Sequence, residues 1–250
     1  MTTENSKKIK LLLSLFDENK LLFSHFLLQY GFSSDLLQWY RKTGWIESYA
    51  RGLYKKVNVT VSLDDLILAM QKQLNLNIFF GGKFCLRKYY GINHFSILGE
   101  SKKNLFYNKS ERKLPIWFKS LFKDEIIFVE TNFLENNIGF NEINGIFVST
   151  PERAFLEVLY MVPKETTVSE AEEILELLPN LRPKLLENLL KKCSSIKVKR
   201  LFLYLAEKVN HSWFKYIKTE IIDLGDGIRE IEKNGKYVEK YKIVVKDSKI

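Results

Sequence analysis

Four polar or basic side chains recur at helical spacing in the segment SDLLQWYRKT, residues 34–43. Gln38, Arg41 and Lys42 follow Ser34 by 4, 7 and 8 positions, so all four share one face of a helix. Glutamine and arginine can pair with the edges of adenine and guanine, and serine or lysine can hold phosphate. An ordinary solvated helix face would show the same pattern, so this segment alone leaves both interpretations open.

The elements that precede this segment favour recognition of a duplex. Residues 7–16 and 23–30 are predicted to form two further helices, with Gly31 ending the second. Ser33 is then placed to cap the third helix. A short helix, a turn containing glycine and a helix with a polar outer face are typical of a helix-turn-helix.

The stretch GWIESYARGLYKK, residues 44–56, follows directly. Residues 45–47 and 52–55 are predicted to form two short strands joined by a turn. A hairpin directly after a recognition-type helix is a wing, whose tip can contact phosphate or enter a minor groove. The wing side chains that we expect at the duplex are Tyr49, Arg51, Lys55 and Lys56.

The charge of the chain is also compatible with a nucleic-acid partner. The net charge is +9 over 250 residues, and residues 1–95 carry 13 lysines and arginines against 7 acidic residues. An uneven basic excess indicates an anionic partner, with nucleic acid the usual candidate. Many lysine-rich proteins are basic without such a partner, so charge alone decides nothing.

Several other classes of protein do not fit the sequence. No run of about 18 apolar residues is present, so we expect no transmembrane helix and no membrane partner. The stretch LLLSLF near the N-terminus is too short for a signal peptide and has no small-residue cleavage site. Cys85 and Cys193 are isolated, which favours two reduced core residues in a cytoplasmic protein.

Motifs for catalysis or cofactor binding are also missing from the sequence. His25, His94 and His211 have no partner at metal-ligand spacing, and no set of residues indicates a nucleophile. The stretch GGK at 81–83 lacks the remaining parts of a phosphate-binding loop, so we interpret it as a turn into a helix. We therefore expect no metal, no cofactor and no catalytic activity.

From about residue 95 strand-like and helical segments alternate. HFSILGE, NLFYN and EIIFVETN are strand-like, Asn144-Gly145 predicts a hairpin turn, and Pro151 begins a helix. Three more helices and a final strand meander are predicted. The fold class is therefore α+β, with a winged helix-turn-helix domain in residues 1–95 and a larger α+β domain in residues 96–250.

Basic residues are dense in one part of this second domain. They could form a second basic surface for RNA, DNA or a protein partner, and a solvated face is the alternative. The six residues are Lys184, Lys191, Lys192, Lys197, Lys199 and Arg200.

Two stretches carry a resemblance to a known family. STPERAFLEVLYMVP (149–163) and LRPKLLENLLKKCSSIKVKRLFLYLAEKVNHSWF (181–214) resemble the AbiEi antitoxin family in its type IV toxin–antitoxin form. The wing, the segment GGKFCLRKYYG and the tail with IDLGDGIREI and YVEKYKIVV also match, so the resemblance covers nearly the whole chain in order. The chain departs from many relatives at Phe84-Cys85, where they have a small residue.

The resemblance implies a bacterial antitoxin that represses its own operon in a phage-defence system. Its winged helix is expected to bind double-stranded DNA at inverted repeats, as monomers that pair cooperatively on the operator. Its C-terminal antitoxin domain is expected to neutralise a cognate nucleotidyltransferase-like toxin without needing to bind it directly. The recognition residues carried over by position are Ser34, Gln38, Arg41, Lys42, Tyr49 and Arg51.

Two other functions stay open at this point. A winged-helix transcriptional regulator without a toxin partner would have the same architecture. A nucleotidyltransferase-like reading frame directly downstream would favour the antitoxin. An enzyme acting on RNA or nucleotide through the C-terminal domain has no motif in its support.

Overall fold

The computed structural model describes residues 3–93, 102–108 and 113–246, with side chains from residue 7 onward. The strand predicted in HFSILGE lies outside the described residues. The predicted boundary between residues 95 and 96 also lies outside them, so that division stays a prediction.

The chain divides into two compact units. The first unit contains residues up to Ile78 together with two returning stretches, 113–123 and Asn144–Ile146. The second unit contains the other described residues. Mixed helices and sheets in the two units confirm the α+β class.

Three helices and a three-stranded antiparallel sheet form the N-terminal part of the first unit, and the third strand along the chain lies between the first and the second. This succession of elements is that of a winged helix. The second helix begins one residue later than predicted, because Phe23 pairs with Leu53 in the sheet. In chain order the elements are α1 (Thr3–Glu18), β1 (Leu22–Phe23), α2 (Ser24–Gln29), α3 (Ser34–Lys42), β2 (Ile46–Ala50) and β3 (Leu53–Lys56).

The apolar faces of these helices meet in one core. Gly31 adopts a positive φ of 79° after α2, as a left-handed helix end requires, and so turns the chain toward α3. Burial of these side chains is the main force that holds the three helices and the sheet together. The fully or nearly fully buried members are Leu12, Leu15, Phe16, Leu22, Leu27, Phe32, Leu37, Tyr40 and Ile46.

Helix α4 (Leu63–Leu74) is joined to the edge strand β1 by a buried amide. Gln73 Nε2 donates to the Leu21 carbonyl at 2.7 Å, and its Oε1 accepts from the Phe23 N–H at 2.8 Å. The side chain therefore satisfies two backbone groups that an edge strand would otherwise leave unpaired. The returning stretch 113–123 contributes the short helix α6 (Ile116–Leu121).

Among its described residues the second unit contains a parallel strand pair, five helices and most of a hairpin, of which Asn144–Ile146 are grouped with the first unit. Lys103–Asn108 pairs in parallel with Ile126–Thr131 over six residues, and Ile78–Phe80 is the third strand of this sheet, beside Lys103–Asn108. The hairpin turn at Asn144-Gly145 is confirmed by φ values of 52° and 79°. The elements are β4 (Ile78–Phe80), α5 (Gly82–Tyr90), β5 (Lys103–Asn108), β6 (Ile126–Thr131), β7 (Phe140–Ile143), β8 (Ile146–Ser149), α7 (Pro151–Met161), α8 (Val168–Glu176), α9 (Pro183–Lys192) and α10 (Ile196–Val209).

The tail is not the simple meander that the sequence predicts. Its last strand, β11 (Ile243–Val245), lies in the middle of a three-stranded sheet. It pairs in parallel with β9 (Arg229–Glu230) and antiparallel with β10 (Lys236–Val238). The short helical turn Glu239–Tyr241 reverses the chain between the last two strands.

A buried carboxylate holds the centre of the second unit. Glu157 of α7 has no exposed surface, and its Oε2 accepts hydrogen bonds from the Gly82 N–H at 3.0 Å and Ser149 Oγ at 2.9 Å. Arg153 Nε donates to Oε1 at 2.9 Å, one helical turn earlier. Burial raises the pKa of Glu157, and the charge of Arg153 with these hydrogen bonds opposes the rise.

The close approach of this carboxylate explains why residue 81 is a glycine. A Cβ atom added at Gly81 would lie 2.1 Å from Glu157 Oε2 and 2.7 Å from Phe106 Cδ2. The φ of Gly81 is −140°, an ordinary extended value, so space rather than backbone conformation restricts this position. Neither neighbour can move freely, because both are buried.

We predict that Gly81→Ala lowers the free energy of unfolding by about 3 kcal/mol, because the new methyl group forces the buried carboxylate from its donors. Urea unfolding followed by circular dichroism measures the change. Gly91→Ala is the control, since a Cβ there meets no atom within 4 Å and only the φ of 68° is strained. A loss no larger than the control's would contradict the steric argument.

Candidate nucleic-acid interface

Helix α3 is positioned by its cap and its apolar face. Ser33 Oγ accepts a hydrogen bond from the Leu36 N–H at 3.2 Å, which confirms the predicted cap. Asp35 in the first turn complements the positive end of the helix. Leu37 and Tyr40 are each 1% exposed and fix the helix on the core, so its opposite face is directed outward.

The outward face carries the predicted recognition residues, all of them exposed: Ser34, Gln38, Arg41 and Lys42. An open groove of about 300 Å³ separates α3 from strand β2 of the wing. Gln38, Arg41 and Lys42 line it from the helix side, whereas Ser34 is not among its lining residues. The residues on the wing side are Ile46, Glu47 and Ser48.

The wing hairpin is fixed at its tip. Strand pairing runs from Ser48 opposite Tyr54 to Ala50 opposite Leu53, so Tyr49 occupies a bulge and is half-buried. Arg51 and Gly52 form the turn, and Gly52 has a φ of 71°. The Gly52 carbonyl accepts from the N–H of Ser24 at 2.8 Å, which ties the turn to the start of α2. Arg51 is exposed.

The two wing lysines already have acidic partners. Lys55 Nζ lies 2.7 Å from Glu47 Oε1 and donates to the Val59 carbonyl at 2.9 Å. Lys56 Nζ lies 2.6 Å from Asp17 Oδ1. Sequence reasoning missed both carboxylates, although alternation along a hairpin could have indicated that Glu47 stands opposite Lys55.

The predicted second basic surface is wrong for two of its six residues. Arg200 is 1% exposed, and Lys199 is 5% exposed and donates to the Asp223 carbonyl at 3.0 Å. All five guanidinium N–H groups of Arg200 can be assigned to backbone carbonyls, which is a structural role rather than a surface one. The accepting residues are Leu224, Gly225, Asp226, Gly227 and Lys242.

The other residues of this set do not behave alike. Lys197 is half-buried and donates to the carbonyl groups of Tyr160 and Val162 at the end of α7. Burial lowers the pKa of Lys197 to about 8, with a contribution from Lys164. The exposed members are Lys184, Lys191 and Lys192, and Lys192 pairs with Glu135 at 2.7 Å.

Within the described residues, no group of three or more histidine, cysteine or acidic side chains could hold a metal ion. Cys85 and Cys193 are both buried and free. Burial raises the pKa of each thiol. In the part of the chain that the structure describes, none of the helices has the length and apolar character needed to cross a bilayer.

Comparison with known proteins agrees with this architecture. The model of a family described as "Transcriptional regulator, AbiEi antitoxin, Type IV TA system" matches residues 101–246, and that of the AbiEi antitoxin N-terminal domain matches residues 5–96. No curated protein matches the chain.

Among solved structures, the RV2827C protein from Mycobacterium tuberculosis is similar, with 13% identity and a TM-score of 0.61 over 98% of this chain and 92% of that one. At this identity the likeness shows a shared fold. The family matches extend over nearly the whole sequence, so the protein belongs to the AbiEi antitoxin family, transcriptional regulators of type IV toxin–antitoxin systems.

Proposed function

We propose that this chain is a type IV antitoxin and transcriptional autorepressor without catalytic activity. It binds double-stranded DNA at inverted repeats upstream of its own operon, as monomers that pair cooperatively on the operator. It acts in the cytoplasm and neutralises the effect of a cognate nucleotidyltransferase-like toxin, with no need for direct contact. Membership of a family of antitoxin regulators supports both activities.

The groove between α3 and the wing is the observation that carries the DNA-binding part. The exposed side chains of Gln38 and Arg41 line it from a helix whose other face is buried. A major groove about 12 Å wide admits such a helix, and these two side-chain types read adenine and guanine there. We therefore assign α3 to base recognition, with Ser34 and Lys42 beside it.

Basic residues of the helix and the wing supply contacts that do not depend on sequence. Within the described residues, neither Arg41 nor Arg51 has an acidic partner, so both can neutralise phosphate groups. Arg51 projects from a turn that is tied to α2, so little backbone freedom is lost when it binds. Tyr49, Lys55 and Lys56 lie on the same hairpin. The ion pair of Lys56 is exposed, and such a pair is weak enough to exchange for a phosphate.

Antitoxic activity is assigned to the predicted C-terminal domain, residues 96–250. One of the two family models of the antitoxin matches residues 101–246, which do not include the winged helix. The second unit also has its own buried centre, formed around Glu157. Neutralisation should therefore survive loss of DNA binding.

We predict that Arg51→Ala and Gln38→Ala weaken DNA binding in different ways. Arg51→Ala should lower affinity for all duplexes and reduce the slope of log affinity against log salt by about 1. Gln38→Ala should mainly lower discrimination between sequences, by about 1–3 kcal/mol. Fluorescence anisotropy with the upstream region and a shuffled duplex measures both effects.

Lys191→Ala is the matched control for charge, because Lys191 is exposed and lies in the second unit. It should leave affinity and salt slope nearly unchanged. If Gln38→Ala retains both affinity and discrimination, α3 is not the recognition helix.

The antitoxin part is tested by co-expression with the protein encoded by the adjacent gene, with growth as the readout. The full chain and its Gln38→Ala/Arg51→Ala variant should both restore growth, because neutralisation does not use the groove. Rescue by the full chain alone would contradict the division of roles. Rescue by neither, with no toxic neighbour, would leave a winged-helix regulator without a toxin partner.

A further inference from the structure

One acidic side chain lies in the groove that should meet a polyanion. Glu47 lines it opposite Gln38, Arg41 and Lys42, and it is the single carboxylate among the six lining residues. A negative charge at this position repels phosphate, so it weakens binding to DNA in general unless it is neutralised or used.

The structure provides the neutralising group. Lys55 stands directly opposite Glu47 across the hairpin, and its Nζ lies 2.7 Å from Oε1. The same ammonium group donates to the Val59 carbonyl at 2.9 Å, which fixes it at the wing. Only about a fifth of the Lys55 side chain is exposed, at 21%, against 42% for Glu47. Lys55 is therefore directed at Glu47 more than at solvent.

The carboxylate keeps acceptor capacity after this pairing. An ionised carboxylate offers about four lone-pair positions, and Lys55 approaches one oxygen atom. In the major groove the base donors are the amino groups of cytosine and adenine, and glutamate typically accepts from cytosine N4. Of these two bases, glutamine such as Gln38 pairs typically with adenine, so cytosine is the base that we expect Glu47 to contact.

We infer that Glu47 is a specificity-determining residue that accepts a hydrogen bond from the amino group of a cytosine in the operator, with Lys55 as its positioning residue. This inference rests on the proposed function, because Glu47 reaches base edges only if α3 occupies a major groove. Glu47 then contributes selectivity rather than affinity. On other sequences its charge finds no donor and disfavours binding.

The test measures the affinity of the full chain for the upstream duplex and for duplexes with each base pair changed singly. Glu47→Ala should lose discrimination by about tenfold at one cytosine–guanine pair, the size of a single mismatch penalty. Its affinity for a shuffled duplex should be equal to or above that of the unsubstituted chain. Glu47→Gln, which keeps the shape of the side chain and one accepting oxygen, should retain part of the preference at the same pair.

Glu18→Gln is the control, because it removes one carboxylate from an exposed position of α1 that does not line the groove. It should leave discrimination unchanged at every pair. If the unsubstituted chain binds selectively but Glu47→Ala shifts all affinities in parallel, as Glu18→Gln does, Glu47 is only the counterion of Lys55 and the inference fails alone. If the unsubstituted chain binds no duplex, the proposed function fails with it.

Discussion

The carboxylate of Glu157 connects the elements on which the second unit is built. It lies fully buried and accepts hydrogen bonds from the start of α5, from the end of β8 and from Arg153 of its own helix. Arg153 in turn donates to the carbonyl groups of Glu135 and Ile138, and its guanidinium lies 4.3 Å from the centre of a phenylalanine ring. Since an unpaired buried charge is costly, every donor in this network restrains the position of the others.

Two of the stretches that resemble the AbiEi family meet at this carboxylate. GGKFCLRKYYG supplies Gly81 and the N–H of Gly82, and STPERAFLEVLYMVP supplies the acidic group and its other donors. Phe84 and Cys85 of α5 lie beside the same network. Both residues are buried, and Cys85 Sγ donates to the Ser149 carbonyl at 3.2 Å.

Local signals in the sequence were sufficient to predict the elements of the candidate interface. Helix chemistry predicts the cap at Ser33, the positive φ of Gly31 and the exposed helix face that carries Gln38. The structure contains all three features. The role of Arg200 could not be predicted in this way. Arg200 belongs to a helix buried on nearly all sides, and its carbonyl partners lie 24 to 42 positions along the chain. Charge density in a sequence therefore does not establish a charged surface, because tertiary partners decide exposure.

Lysine footprinting can show whether the face formed by α3 and the wing binds DNA. The full chain is acetylated with and without the upstream duplex, and mass spectrometry gives the labelling rate of each lysine. We expect the duplex to slow labelling of Lys42 several-fold and to leave labelling of the exposed Lys191 unchanged. Equal labelling of Lys42 with the duplex bound, or protection of Lys191 instead, would contradict DNA binding by this face.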